Sequence, residues 1–331
     1  MKFRFEFDIA KLSPPIQHSQ SLFLIGSCFT ENIGEKLKRN KFKVLENPHG
    51  ILFNPVSVSE AIMDYIEDTK YTASDLFEYN ESWHSWKHHS RFSGVTQEEA
   101  LQKINQSISQ AHNFLEDADY VMITLGSAWV YTLTADAKNA IEGSVAANNH
   151  KAPASWFYRR LLSTEEVLSV LDPMIHRMFL FNKKIRILFT ISPVRHLREG
   201  VVENNRSKAS LIQAVHQLVD KFERIYYFPA YELVLDDLRD YRYYAEDLVH
   251  PNYFATQYVW ERLMDACISE ESKKLIEEIT SIHLAYKHRP FNAASEQHKK
   301  FLKSFWEKTN ALQQKFAYLN FSTELEYFSR V

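Results

Sequence analysis

The sequence predicts an α/β protein built on a mostly parallel central sheet, and three observations predict it. Ser21–Ile25, Tyr120–Leu125 and Ile185–Ile191 are nearly uninterrupted apolar runs of strand length, the signature of strands buried on both faces. Stretches with helical patterning separate them, the alternation that crossover connections produce. The runs end on Gly26, Gly126 and Ser192-Pro193, so the chain leaves the sheet at its carboxyl edge, where such folds bind ligands.

The remaining elements follow in chain order. Phe3 to Ile9 alternates apolar and charged residues and reads as an edge strand. Ser21–Ile25 leads into a helix over Glu31–Asn40, and Phe42–Leu45 is a short strand. Ser57 or Ser59 is the expected cap of a helix over Glu60–Asp68. Residues 70–95 are rich in aromatics and histidine without a clean period, giving a loop or small hairpin over the active face. Thr96-Gln97-Glu98-Glu99 resembles a capping box opening a helix to about Phe114. Residues 134–163 read as irregular, Thr164–Phe181 and Lys208–Glu223 as helices, Ile225–Phe228 as a strand and Phe254–Ile268 as a helix. From Ser269 onward the charge patterning is helical. The expectation is one catalytic domain over residues 1–268 with a helical C-terminal extension over 269–331.

Composition narrows the function. A net charge of −3 gives no field for a polyanion, which argues against nucleic acid as a partner. No stretch approaches the ~20 apolar residues that span a bilayer. The start lacks the apolar core and cleavage site of a signal peptide. Two cysteines, Cys28 and Cys267, do not make a disulfide framework. Together these predict a cytoplasmic protein with no membrane partner. The 17 Tyr, 23 Phe and 6 Trp suit sugar-stacking surfaces as well as a large core.

The chemistry-bearing residues cluster at the predicted strand ends. Ser27 and Cys28, two potential nucleophiles, sit between Gly26 and a helix, where backbone N–H groups and the helix dipole favour a thiolate or an oxyanion. Far downstream, Asp247 and His250 offer a carboxylate and an imidazole on one segment, with Pro251 predicting a loop at the histidine. Arg195 and His196 follow a strand and suit a carboxylate or phosphate of the substrate, or an ion pair. Asn148-Asn149-His150-Lys151 lies in an irregular loop. His84-x-x-x-His88-His89 has the spacing of metal ligands on a helix. No further ligands are evident nearby, and Trp83 and Trp86 place these histidines on a cleft rim instead. No cofactor or metal is assigned.

The chain resembles a known family in these residues. Gly26-Ser27-Cys28-Phe29-Thr30 and Asn47-Pro48-His49-Gly50-Ile51-Leu52-Phe53-Asn54-Pro55 look like the GSCFA domain, with Thr30 where that motif usually has Ala. Ile123-Thr124-Leu125-Gly126, Ser192-Pro193-Val194-Arg195-His196 and Ala245-Glu246-Asp247-Leu248-Val249-His250-Pro251 fit the same resemblance, which covers about residues 20 to 255. The GSCFA domain is similar to the SGNH/GDSL hydrolases, which implies a flavodoxin-like α/β/α fold and ester chemistry. Aligned without a gap, Cys28 takes the nucleophile's place and Ser27 the acid's; attack by Ser27 is the alternative. His250 is then the general base and Asp247 its orienting acid. Gly50 corresponds to the second oxyanion glycine, and Gly126-Ser127-Ala128 stands where Gly-x-Asn is expected, so Ala128 replaces an asparagine. A backbone N–H near Gly126, or an amide from Asn54 or Asn149, would substitute. His88, His89 and His150 belong to the substrate-binding rim. The expected function is an esterase or acyltransferase acting on a small-molecule or carbohydrate ester. The alternative is a carbohydrate-binding protein that kept the fold without the chemistry.

Overall fold

The computed structural model describes residues 5–330. The first half contains β1 (Ser21–Gly26), α1 (Cys28–Arg39), β2 (Lys43–Glu46), α2 (Pro55–Glu67), β3 (Phe77–Tyr79), β4 (Ser82–His84), α3 (Gln97–Glu116) and β5 (Tyr120–Leu125). Then come β6 (Trp129–Leu133), β7 (Val145–Ala146), β8 (Phe157–Leu161), α4 (Thr164–Phe181), β9 (Arg186–Ile191), α5 (Val201–Lys221) and β10 (Ile225–Tyr227). The single turn α6 (Ala230–Glu232) runs into a π-helical stretch, Leu233–Leu238. The chain ends in α7 (Tyr253–Cys267), α8 (Glu270–Lys287), α9 (Glu296–Lys315) and α10 (Ser322–Phe328). No helix among the described residues is long and apolar enough to cross a membrane.

The main sheet is parallel, in the order β2-β1-β5-β9-β10. Counted among themselves these strands run 2-1-3-4-5, the flavodoxin-like order, which puts the switch point between β1 and β5. Alternation along β1 creates two cores. Phe23 and Ile25 pack with Ile62 of α2, Ile108 of α3, Leu171 of α4 and Leu211 of α5. Leu22 and Leu24 point the other way, against Ile33 of α1 and Val259 of α7. The result is a three-layer α/β/α fold. Each fully buried Leu, Ile or Phe contributes about 1.5–3 kcal/mol of transfer free energy. A third apolar cluster joins Leu275, Ile279 and Ile282 of α8 to Leu302, Leu312, Phe321 and Phe328.

Several expectations need correction. Met1–Arg4 lie outside the described residues, and Phe5–Ile9 form no strand; Phe7 and Ile9 pack against the second core instead. The cap of α2 is Asn54, whose Oδ1 accepts from Ser57 N at 2.9 Å, with Pro55 opening the helix. Pro at the first helical position and Asx before it is the stronger start signal. Residues 134–163 are not wholly irregular: β7 and β8 flank β6 in a small antiparallel sheet. Helix α5 begins at Val201, well before Lys208. The segment from His84 to His89 is strand and turn, so the i,i+4 spacing confers no shared helical face.

Candidate active site

The first turn out of the sheet is tightly built. Gly26 has φ +142°, and a Cβ there would lie 2.1 Å from the Thr124 carbonyl oxygen of the neighbouring strand. Only glycine accepts both constraints. Gly26 N–H donates to the Asn47 side-chain oxygen at 2.9 Å, and its carbonyl accepts from Leu52 N at 3.0 Å. Ser27 is the N-cap of α1, fully buried, and its Oγ has no hydrogen-bond partner among the described residues. Cys28 is the first residue of α1 and half-buried. Burial pushes the Cys28 thiol up, aided by the Glu31 carboxylate and opposed by backbone N–H groups and Lys208. The expected ready thiolate is therefore corrected: desolvation outweighs the helix end. Cys267 on α7 is pushed up to about 12 by its deeper burial.

Asp247 and His250 form a compact surface pair. His250 Nδ1 and Asp247 Oδ2 are 2.7 Å apart, while Asp247 Oδ1 accepts from Val249 N at 2.9 Å and His250 N at 3.0 Å. The backbone N–H of His250, its ring and the Val249 N–H together hold the Asp247 carboxyl at about 2. Leu248 takes a left-handed conformation, φ +57°, to close the loop. Arg195 grips this loop from after β9: its N–H donates to the Val249 carbonyl at 3.2 Å and its Nη1 to the Leu248 carbonyl at 3.1 Å. Both side chains of the pair are about half exposed, 50% and 52%. Helix α7 then starts at Tyr253, as Pro251 predicts.

His196 lies between these parts. Its Nε2 is buried without a partner among the described residues, 3.1 Å from where a Gly126 Cβ would stand, and its ring meets Phe53 edge-on at 5.0 Å. Burial, with the charges of Lys208 and His250, lowers it to about 4. A cavity of about 190 Å³ is lined by His196, Asn54, Ser127, Trp129, Tyr131 and Asn149, among others.

The expected oxyanion donors are largely engaged. The N–H groups of Gly126 and Ser127 both donate to the Phe53 carbonyl, at 2.8 and 2.9 Å. Ala128 N–H goes to Ser207 Oγ at 2.7 Å, and Gly50 N–H to the Asn47 carbonyl at 2.8 Å. The Asn54 amide caps α2 and reaches Ser57 Oγ at 3.0 Å. The histidine rim is also corrected. His88 is buried, stacked on His49 at 4.0 Å. His150 is buried with Nε2 2.8 Å from the Ser85 carbonyl oxygen. His84 uses both ring nitrogens, on Ser93 Oγ and the Tyr79 carbonyl. His89 is half-buried, its N–H donating to the His49 carbonyl at 2.9 Å. No group of three or more metal-ligating side chains assembles among the described residues.

Two participants escaped sequence reasoning. Asn47, at φ +44°, ties the second motif block to Gly26. Lys208 on α5 is 1% exposed and donates to the Gly126 and Ser192 carbonyls, both at 2.6 Å. A signal existed for Lys208: it precedes Leu211 and Val215 by three and seven residues, the spacing of the buried helix face.

Comparisons with known proteins bear on this arrangement. The model of the GSCFA family matches residues 21–263, and that of the GSCFA domain protein C-terminal domain matches residues 279–330. No curated protein matches the chain. Among solved structures, an acetyl xylan esterase (Est2A) from the rumen bacterium Butyrivibrio proteoclasticus is similar at 10% identity and a TM-score of 0.37, over 75% of this chain and 63% of that one. A carbohydrate esterase family 3 protein from Talaromyces cellulolyticus is similar at 9% identity and a TM-score of 0.32, over 79% of this chain and 99% of its own.

Proposed function

The chain belongs to the GSCFA family, and from that premise we propose that it is an ester hydrolase or acyltransferase, related to the SGNH/GDSL hydrolases, working through Cys28, His250 and Asp247. The observation that carries this reading is the His250 Nδ1–Asp247 Oδ2 pair, 2.7 Å apart on a loop tied to the carboxyl end of β9. The half-buried thiol opens α1 straight after β1, and the loop with the Asp247–His250 pair is fastened by Arg195 to the segment leaving β9. Cys28 is preferred to Ser27 because Ser27 is fully buried while Cys28 is only partly so.

In this mechanism the Cys28 thiol gives its proton to His250 Nε2 as sulfur attacks the ester carbonyl. Asp247 holds Nδ1 and stabilises the imidazolium. The C–O bond breaks, the alkoxide takes the proton from His250, and a thioester remains on Cys28. Water or an acceptor hydroxyl, deprotonated by His250, then attacks the thioester and the thiol returns. A carbohydrate ester is the proposed substrate, supported by a cavity that joins Trp129 and Tyr131 to amide groups such as Asn149. Residues 1–268 would carry this chemistry and 269–331 a helical extension, a division supported by the separate apolar cluster of α8–α10.

Hydrolysis of p-nitrophenyl acetate and of acetylated oligosaccharides tests the proposal. The expected outcome is activity that falls at least about 10²-fold in His250→Ala and Cys28→Ala and survives Ser27→Ala. Activity that persists in Cys28→Ala but disappears in a folded Ser27→Ala would move the nucleophile to serine. The engagement of the Gly126 and Ser127 N–H groups by Phe53 favours a second reading, a carbohydrate-binding protein. Sugar binding by calorimetry with no turnover of any ester would select it.

A further inference from the structure

We infer that a cavity beside the Asp247–His250 loop is a subsite for an acidic sugar unit, a uronate, with Arg195 binding its carboxylate. This deepens the reading above and rests on its carbohydrate substrate. The cavity measures about 360 Å³, within the range of small-molecule sites. One wall is the π-helical stretch Leu233–Leu238, through Val234, Leu235 and Asp236, a rare geometry that recurs at functional sites. Arg195 lines the cavity as a cation with no carboxylate paired to it among the described residues. Its Nη1 donates to the Leu248 carbonyl at 3.1 Å, which uses one of the five donors a guanidinium carries. The guanidinium is stacked over the Tyr244 ring at 4.2 Å and the Tyr241 ring at 5.2 Å. Stacking fixes its plane for a two-point bond to a carboxylate. The acids of the lining already have cations of their own: Asp236 has Arg239 at 3.8 Å, and Asp240 has Arg242 at 2.8 Å.

The rest of the lining selects a sugar acid over a bare anion. Tyr241 is 63% exposed and offers a flat face on which a sugar ring can stack. Asp236, Asp240 and Asn205 offer acceptors for hydroxyl groups. A phosphate, with up to two charges, would be repelled by these two carboxylates, whereas a singly charged unit bearing hydroxyls can bond to them. Hydrogen bonds join the cavity to the chemistry. Tyr244 forms an antiparallel bridge with Pro251, and the Ala245 N–H donates to the His250 carbonyl at 2.7 Å. Arg195 and His196 are neighbours in the chain, yet Arg195 lines this cavity and His196 the one with Trp129. Consecutive Cα atoms stand about 3.8 Å apart, so one oligosaccharide can reach both. A clamp on the loop alone would need the Leu248 and Val249 carbonyls, but neither the stacked tyrosines nor the open space.

The test reads binding, without any ester. The glycosides p-nitrophenyl β-D-glucuronide and p-nitrophenyl β-D-glucoside differ only in a carboxylate against a hydroxymethyl group. Calorimetry on the full chain is expected to show the glucuronide binding at least about tenfold tighter, as one charge-assisted pair supplies. Arg195→Gln should erase that preference, and Tyr241→Ala should weaken both glycosides alike. Equal affinities in the unsubstituted chain, or no binding of either glycoside, would overturn the inference. Should Arg195→Gln fail to fold, phenylglyoxal labelling of the unsubstituted chain decides, read by mass on the peptide that contains Arg195. The glucuronide is expected to slow that labelling and the glucoside to leave it unchanged. Protection by inorganic phosphate at a lower concentration than the glucuronide needs would replace the uronate with a phosphate. Selective glucuronide binding with no ester turnover would end the hydrolase reading and leave this inference standing. Ester turnover with equal binding of the two glycosides would do the reverse.

Discussion

At the scale of single residues, burial governs the ionisable groups of this site more than pairing does. His150 and His196 are each lowered to about 4, first by desolvation, against about 6.5 for a free imidazole. The folded value lies below the unfolded one. The stabilisation from keeping each ring neutral is therefore complete above pH 6.5 and is lost as pH falls towards 4. Each ring contributes a slope of up to about 1.4 kcal/mol per pH unit in that window. Thermal midpoints measured from pH 7.5 to 4.5 should fall, and His150→Gln should shallow the decline. A variant whose curve parallels the parent would show that this ring protonates freely in the folded state. Residue roles were legible where short spacing decides them, as in the pairing of Asp247 with His250. They were illegible where burial decides the role: nothing in a one-letter string says that Ser27 is sealed, and the spacing that puts Lys208 on the buried face of α5 does not say what its amine bonds.

At the scale of elements, the strands that could be read were those with a single possible environment. Tyr120–Leu125 is apolar but for Thr124 and is buried at every position, so its pattern has one interpretation. The Phe3–Ile9 alternation misled because period two requires a partner strand, and Phe5–Ile9 find a core instead of one. The antiparallel sheet was hidden because β7 has two residues and β8 carries exposed Arg159 and Arg160, leaving no apolar run to find. Helix α2 shows that a start signal has a mechanism: Asn54 satisfies the Ser57 N–H that the helix leaves unbonded. Asn54→Ala should cost about 1 kcal/mol in urea unfolding, while Asn54→Ser should restore most of it. Equal losses in both variants would place the asparagine's contribution in the cavity rather than in the cap.

At the scale of the molecule, the strand order brings together turns that follow Gly26, Leu125 and Ile191, far apart in the chain. The segments after β1, β5 and β9 meet only because β5 lies between the other two. The second motif block joins them through Asn47. The C-terminal helices attach to this body through polar links that include Lys41 with Glu324 at 2.8 Å and Tyr318 with His18 at 3.2 Å. They also share Ile276 of α8 with the second core. Ending the chain after Lys287 would strip Leu302, Leu312, Phe321 and Phe328 from α8. The expected result is a lower thermal midpoint with increased binding of a hydrophobic dye. A truncated chain melting like the full one would mean that α9 and α10 contribute no stability to the rest.

The Asp247 and Lys208 side chains differ in their access to water. The Asp247 carboxylate is half exposed, while the Lys208 ammonium is enclosed. Mobile ions gather around the first within a Debye length of about 8 Å at physiological ionic strength, and screen the second far less. Added salt should therefore loosen the carboxylate's hold on the imidazole while leaving the enclosed amine's grip on the Gly126 and Ser192 carbonyls in place.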